Sequence, residues 1–261
     1  MTSKTYTLIT GASGGIGRDL AMLAAADGKN LILAARSVDK LEQLAETIQK
    51  TNTVDVVTID VDLSDDAGVN SLISTISKQN LQIDTLINNA GFGDFGDFAK
   101  ADLSKNMEMI RLNISALTQL SYFVLQGMIK NGKGKIMNVA STAAFMPGPG
   151  MAVYYASKAY VLSFSEALAR ELKGSGITVT ALCPGPTDTS FAATAGLGKS
   201  LMHRILPPAT SMQVAKAGYK AMTKGKVIEI PGFTNKLSVL TPRFTPRRMV
   251  RNMIYGIHKS H

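Results

Sequence analysis

The chain predicts an α/β fold built on one doubly wound, seven-stranded parallel sheet. Three observations predict it. Short apolar runs alternate with longer segments of helical periodicity along the 261 residues, which is the pattern of repeated βαβ units. Several of the short runs are apolar at nearly every position, as strands covered on both faces must be. A glycine cluster at Gly11, Gly15 and Gly17 stands between the first apolar run and the first helical segment, where such a sheet needs a tight turn.

The elements follow in order. Tyr6 to Thr10 reads as a buried strand, and a helix is expected from about Gly15 to Asp27. Asn30 to Ala35 is the second strand. Val38 to Lys50 carries apolar residues at helical spacing through Leu41, Leu44, Ala45 and Ile48. Val54 to Ile59 is the third strand, with a helix over Asp65 to Ser77. Asp84 to Asn88 is the fourth, followed by a long helical stretch from roughly Asp102 to Lys130. Lys135 to Ala140 is the fifth strand, Ala152 to Lys173 a helix and Ile177 to Leu182 the sixth strand. A loop and short helices come next, then a helix over Ser211 to Thr223 and a seventh strand over Lys226 to Ile230. At the tail, Thr245 and Pro246 suit the N-cap and first position of a last helix, with Met249, Val250, Met253, Ile254 and Ile257 as its apolar stripe.

Composition narrows the class. Apolar residues make up 45%, enough for one large core, and no linker, repeat or low-complexity tract divides the chain. The single cysteine, Cys183, excludes an internal disulfide and fits a reducing compartment such as the cytoplasm. No apolar run reaches the ~18 residues of a spanning helix, and the N-terminus does not read as a secretory signal. The net charge is +9, and six cations without an acid lie between Lys236 and His261. That tail could meet a membrane surface, a nucleic acid or an anionic ligand, or be a solvated helix face. No nucleic-acid-reading motif accompanies it. His203, His258 and His261 lack metal-ligand spacing and cysteine partners, so no metal is expected.

The motifs fall at the carboxyl ends of the strands, where open α/β sheets bind ligands. Glycines that follow a strand and open a helix let backbone N–H groups approach a pyrophosphate, and the helix dipole adds partial positive charge. An ordinary strand–helix turn would use the same residues. Tyr154 and Lys158 are four apart on one helix and share a face; Tyr155 lacks that offset. A free tyrosine, with a pKa of about 10, exchanges protons poorly at neutral pH. A lysine ammonium at ~5 Å, in an effective dielectric of ~20, would favour the phenolate by ~3 kcal/mol, or roughly two pKa units. With Ser141 thirteen residues upstream, the set points to a proton donor beside a bound dinucleotide and to carbonyl–alcohol redox.

The spacing Gly-x-x-x-Gly-x-Gly resembles the classical short-chain dehydrogenase/reductase family, and the resemblance runs from about Thr5 to Gly232. Asn88-Asn89-Ala90-Gly91 is similar to that family's Asn-Asn-Ala-Gly element. Ser141, Tyr154 and Lys158 match its Ser, Tyr-x-x-x-Lys set, with Asn113 at the place of its catalytic asparagine. Pro184-Gly185-Pro186-Thr187-Asp188-Thr189 resembles its Pro-Gly loop. The resemblance implies a Rossmann-type catalytic domain over 1–232, with a substrate loop at about 187–212. Residues 233–261 would be a basic amphipathic extension of the same domain. It implies hydride transfer between a nicotinamide and a ketone, aldehyde or alcohol. Tyr154 would give or take the proton, Ser141 polarise the carbonyl, Lys158 contact the nicotinamide ribose, and Asn113 hold a relay water. Gly11, Ser13, Gly15, Ile16 and Gly17 would hold the pyrophosphate. Asp62, Leu63, Asn89, Ala90 and Gly91 would flank the adenosine, and Pro184, Gly185, Thr187 and Thr189 the nicotinamide. Ala35 stands where NAD-preferring members carry an acid, and Arg36 follows it. An arginine there suits a 2′-phosphate, so NADP(H) is favoured over NAD(H), although Gly14 stands where many NADP-dependent members are basic.

Substrate selection in that family implies a pocket near Phe92, Phe95 and Phe98, near Phe145, Met146 and Met151, and near Phe191. These residues would suit a lipophilic carbonyl compound, or be core. The resemblance also implies a homodimer or homotetramer. Two further readings stay open: a 3-oxoacyl thioester reductase, and a non-catalytic dinucleotide-sensing protein. The last helix could touch a membrane, pack on the body or join a subunit interface.

Overall fold

The structure is a computed structural model that describes residues 4–189, 191 and 208–259. Its elements are β1 (Thr5–Thr10), α1 (Gly15–Ala26), β2 (Asn30–Ala35), α2 (Val38–Thr51), β3 (Val56–Asp60), α3 (Asp66–Lys78) and β4 (Gln82–Asn88). There follow α4 (Leu103–Ile110), α5 (Leu117–Asn131), β5 (Gly134–Val139), α6 (Ala152–Glu171), β6 (Ile177–Leu182), β7 (Thr187–Asp188) and β8 (Ala209–Thr210). The chain continues through α7 (Ser211–Thr223), β9 (Ile228–Glu229), α8 (Phe233–Phe244) and α9 (Arg247–Lys259).

Seven strands form one sheet in the order β3-β2-β1-β4-β5-β6-β9, and every pairing is parallel. The chain winds outward from β1 in one direction and from β4 in the other. Their shared edge, with Leu8 opposite Leu86, is therefore the switch point of a Rossmann-type sheet. Both faces are covered, because successive strand residues point to opposite sides. Leu8 packs with Leu72, Leu86, Leu120 and Ile136 on the α3–α5 side. Ile9 packs with Leu20, Leu33, Ile87 and Val214 on the α1–α2–α7 side. At the sheet centre Asn88 Nδ2 donates to Ser121 Oγ and to Asn138 Oδ1, and Asn138 Nδ2 donates to Ser165 Oγ. This buried chain ties β4 and β5 to α5 and α6, which share one face of the sheet.

Four features depart from the sequence expectation. The long helix after β4 is interrupted by a π turn at Arg111–Ala116. The last sheet strand is only two residues long. Helix α8 was not expected: it buries only Asn235 and Val239, and it carries inside it Pro242, a residue that ordinarily ends a helix. A short parallel pair joins β7 to β8. Most of the expected substrate loop and the short helices after β6 lie outside the described residues.

The tail packs on the body. Val250, Ile254 and His258 of α9 are buried, whereas Met249 and Met253, placed in the same stripe by the sequence reading, are exposed. Among the described residues no helix is long and apolar enough to cross a membrane.

Candidate active site

The carboxyl ends of β1, β4, β5 and β6 open into one cleft of about 930 Å³. Its walls follow the strand order. Asp62 and Leu63 stand beyond β3, and Ala35 and Arg36 end β2. Beyond β1 come Gly11, Ser13, Gly15 and Ile16, and beyond β4 come Asn89, Ala90, Gly91 and Phe92. Ser141 follows β5, Pro184, Gly185, Thr187 and Thr189 follow β6, and Tyr154 and Lys158 reach in from α6.

The glycine loop is shaped by close packing. Gly11 adopts φ +65°, and a Cβ there would lie 2.9 Å from the Ala90 Cα. Asn89 crosses the switch point to brace the loop: its Nδ2 donates to Thr10 O at 3.0 Å and Gly11 O at 3.1 Å, while its N–H donates to Thr10 Oγ1. A Cβ on Gly17 would collide with Asn89 Nδ2 and Gly11 O. Gly17 therefore lets α1 approach the strands and is not on the cleft wall, contrary to its expected ligand contact. The start of α1 does face the cleft. No side chain caps it and no acid lies in its first turn, and the space beside the Gly14 Cα is open. Unpaired N–H groups, a helix dipole and room at that point fit a dinucleotide pyrophosphate.

At the β2 end Arg36 is 71% exposed and lies 3.8 Å from Asp62. Burial raises the Asp62 pKa, but hydrogen bonds from Ser64 and the charge of Arg36 outweigh it and hold the carboxyl below its ordinary value. Lys40, in the first turn of α2, lines the same end of the cleft. Sequence reasoning missed it; its signal was the spacing of four from Arg36 into an amphipathic helix.

At the β5 end Tyr154 is 9% exposed and Lys158 6%. Lys158 Nζ lies 5.9 Å from the Tyr154 ring centre and donates to Val139 O at 2.9 Å. Burial pushes the Tyr154 phenol up to about 12, with a hydrogen bond to Ser141 acting in the opposite sense. Burial likewise pushes the Lys158 ammonium down to about 8. The expected depression of the tyrosine pKa by its lysine is thus overturned, because desolvation penalises both charged forms and the ammonium is turned to a carbonyl. Ser141 Oγ accepts from Ala143 N at 3.1 Å, which fixes the hydroxyl at the strand end.

Asn113 sits in the π turn and is 1% exposed. Its Nδ2 donates to Phe92 O and Ser157 Oγ, each at 3.0 Å, and its Oδ1 accepts from Phe92 N at 3.2 Å. The side chain clamps the segment after β4 and does not line the cleft. Phe145, expected beside the substrate, packs instead on Leu117, Ala140 and Val161 in a separate core cluster, and Phe98 is 60% exposed. Phe92, Met146, Met151 and Phe191 do cluster around Tyr154, and the Phe191 ring centre is 5.3 Å from that of Tyr154.

The remaining wall comes from the far end of the chain. Met253, Ile254, Ile257 and His258 of α9 line the cleft. His258 Nδ1 donates to Pro149 O at 2.6 Å, and its ring meets Phe95 and Tyr155 edge to face, each at 5.8 Å between centres.

Comparison with known proteins places this arrangement. The short chain dehydrogenase family profile matches residues 5–199. The chain is 34% identical over 242 residues to sulfoacetaldehyde reductase 2 of Chromohalobacter salexigens, covering 90% of this chain and 94% of that one. It is 30% identical to the very-long-chain 3-oxoacyl-CoA reductase of Rattus norvegicus, covering 98% of this chain and 80% of that one. Among solved structures, a short-chain dehydrogenase from Sphingobium yanoikuyae in complex with NADPH superposes with a TM-score of 0.82 at 30% identity, covering 92% and 93% of the two chains. The bulky-bulky ketone specific alcohol dehydrogenase from Comamonas testosteroni gives 0.78 at 29%, covering 93% of each. A profile match over most of the length, joined to relatives of this identity and coverage, establishes that the chain belongs to the classical short-chain dehydrogenase/reductase family of NAD(P)-binding oxidoreductases.

Proposed function

We propose that this protein is an NADP(H)-dependent oxidoreductase that interconverts a lipophilic ketone or aldehyde with its alcohol. The observation that carries the reading is the placement of Tyr154. Its buried hydroxyl lies beside Ser141, in a cleft that runs past an uncapped helix start on one side and into apolar side chains on the other. Gly11, Ser13, Gly15 and Ile16 would hold NADP(H) in the cleft, where it would supply the hydride chemistry. Tyr154 gives the substrate oxygen its proton. Ser141 holds and polarises that oxygen. Lys158 brings positive charge near the phenol, which would favour the phenolate as the proton leaves, and it would contact the nicotinamide ribose of the bound cofactor. Asn113 acts on the set by fixing Phe92 and Ser157.

Selection of the phosphorylated dinucleotide falls to Arg36 and Lys40, with Ala35 leaving room where an acid would repel a 2′-phosphate. Separate titrations of NADPH and NADH test this: NADPH binds more tightly, and Arg36→Ala weakens NADPH far more than NADH. Equal losses for both would remove the phosphate role.

A panel of free ketones, aldehydes and acyl thioesters separates the main reading from thioester reduction, which the named activity of the rat relative supports. We also place the α8–α9 extension in the same domain, because Val239, Val250, Ile254 and His258 are buried. A reducing, cytoplasmic setting suits the lone Cys183. Exposed Leu103, Met107, Tyr122 and Ile129 on the α4–α5 helix suit a homo-oligomeric contact, which light scattering measures directly.

A further inference from the structure

Helix α8 presents a bare apolar strip to solvent. Phe233, Leu237, Leu240 and Phe244 recur at steps of four, three and four, so they share one narrow face. All four are exposed, Phe233 by 81% and Phe244 by 82%. The helix is held to the body by its other side, through Asn235 and Val239. Met249 and Met253 of α9 add exposed apolar surface. Around these stand Lys236, Arg243, Arg247, Arg248 and Arg251, all exposed, and no acid follows Glu229 in the sequence.

We propose that the α8–α9 face docks on an anionic lipid bilayer, peripherally and with the Phe233–Phe244 strip entering the headgroup–acyl boundary. Large apolar side chains between cations are the composition of an interfacial helix, the apolar strip supplying insertion and the cations selecting anionic headgroups. Charge argues against a second copy of the chain as the occupant. A two-fold contact apposes the same patch on both partners, so each copy's five cations would face the other's with no acid of the α8–α9 segment to offset them. Ser238 and Thr241 of α8 and Met253 of α9 also line the cleft, which places its rim at the docked surface. Entry of a lipophilic substrate from the bilayer would rest on the proposed function; the docking itself does not.

The test is co-sedimentation of the full chain with phosphatidylcholine vesicles, with and without phosphatidylserine, read as bound protein so that turnover plays no part. Binding should be more than ~10-fold tighter to the anionic vesicles and fall as salt rises. The triple variant Phe233→Ser, Leu237→Ser, Phe244→Ser should lose that binding while keeping the wild-type thermal midpoint. Arg243→Gln, Arg247→Gln, Arg248→Gln should erase the preference for anionic lipid. Failure to sediment with either vesicle, or unchanged binding by the triple serine variant, would overturn the proposal. So would light scattering in which that variant turns an oligomer into a monomer, since the strip would then join copies of the chain.

Discussion

At Tyr154 and Lys158 burial works against charge on both side chains, and the two effects have opposite consequences for protons. Burial pushes the phenol up to about 12 and brings the ammonium down to about 8, still mostly charged at neutral pH. Replacing the phenol by Tyr154→Phe should lower kcat by ~10²–10⁴-fold with little change in NADPH affinity, checked by turnover and nicotinamide fluorescence. Retained turnover would exclude Tyr154 as the proton donor. Lys158 also makes stability pH-dependent. Between about pH 8, where it titrates when folded, and its ordinary 10.5, the unfolded chain binds more protons than the folded one. Its contribution therefore rises with pH across that window. Urea midpoints compared with Lys158→Met should show the wild type gaining on the variant from pH 8 to 10. A constant difference would mean that the ammonium is not desolvated.

At the scale of elements, the site depends on how closely helices and turns approach the sheet. Gly17 lets α1 lie against Asn89 and Gly11. Adding one methyl by Gly17→Ala should cost ~1–3 kcal/mol of stability and weaken dinucleotide binding together with it, measured by denaturation and titration. Helix α7 begins with a capping box: Gln213 N donates to Thr210 Oγ1 at 3.2 Å, and Thr210 N donates to Gln213 Oε1 at 3.1 Å. Thr210→Ala should cost ~1 kcal/mol and lower Tm by ~2–4 °C. The Thr-x-x-Gln pattern of that box is local and legible in sequence. The π turn at Arg111–Ala116 was not, because its residues have ordinary helical spacing and only the clamp from Asn113 to Phe92 and Ser157 shows its use.

The whole molecule closes its cleft with residues from both ends of the chain. The loop after β1 forms one wall, and α9, more than 200 residues later, forms another through Ile254 and His258. His258→Ala removes the bond to Pro149 and the contacts with Phe95 and Tyr155. We expect KM for an apolar substrate to rise several-fold with kcat largely kept, the signature of lost uniform binding; an equal fall in kcat would instead place His258 nearer the reacting atoms. Because the cleft spans both halves of the sheet, a bound dinucleotide holds them together. NADPH at ~100 times its Kd should stabilise the fold by ~2.7 kcal/mol, readable as a rise in Tm.

What the sequence determined by itself is local or periodic. It set the order and type of the sheet's strands and flanking helices, the turn after β1, and the offset that puts Tyr154 and Lys158 on one face of α6. Alternation, helical spacing and turn chemistry act over a few residues, so they can be read without the fold. Only the tertiary structure decided quantities that depend on distant neighbours. It withdrew water from Tyr154 and Lys158 and so reversed the expected shift of the tyrosine, since desolvation is set by everything packed around a group. It turned Phe145 into the core and Gly17 against the strands, brought Lys40 to the cleft beside Arg36, and seated His258 over Pro149. It also split the tail's apolar residues between a buried face and an exposed one. Those outcomes rest on contacts between segments far apart in sequence, whose meeting no local pattern encodes.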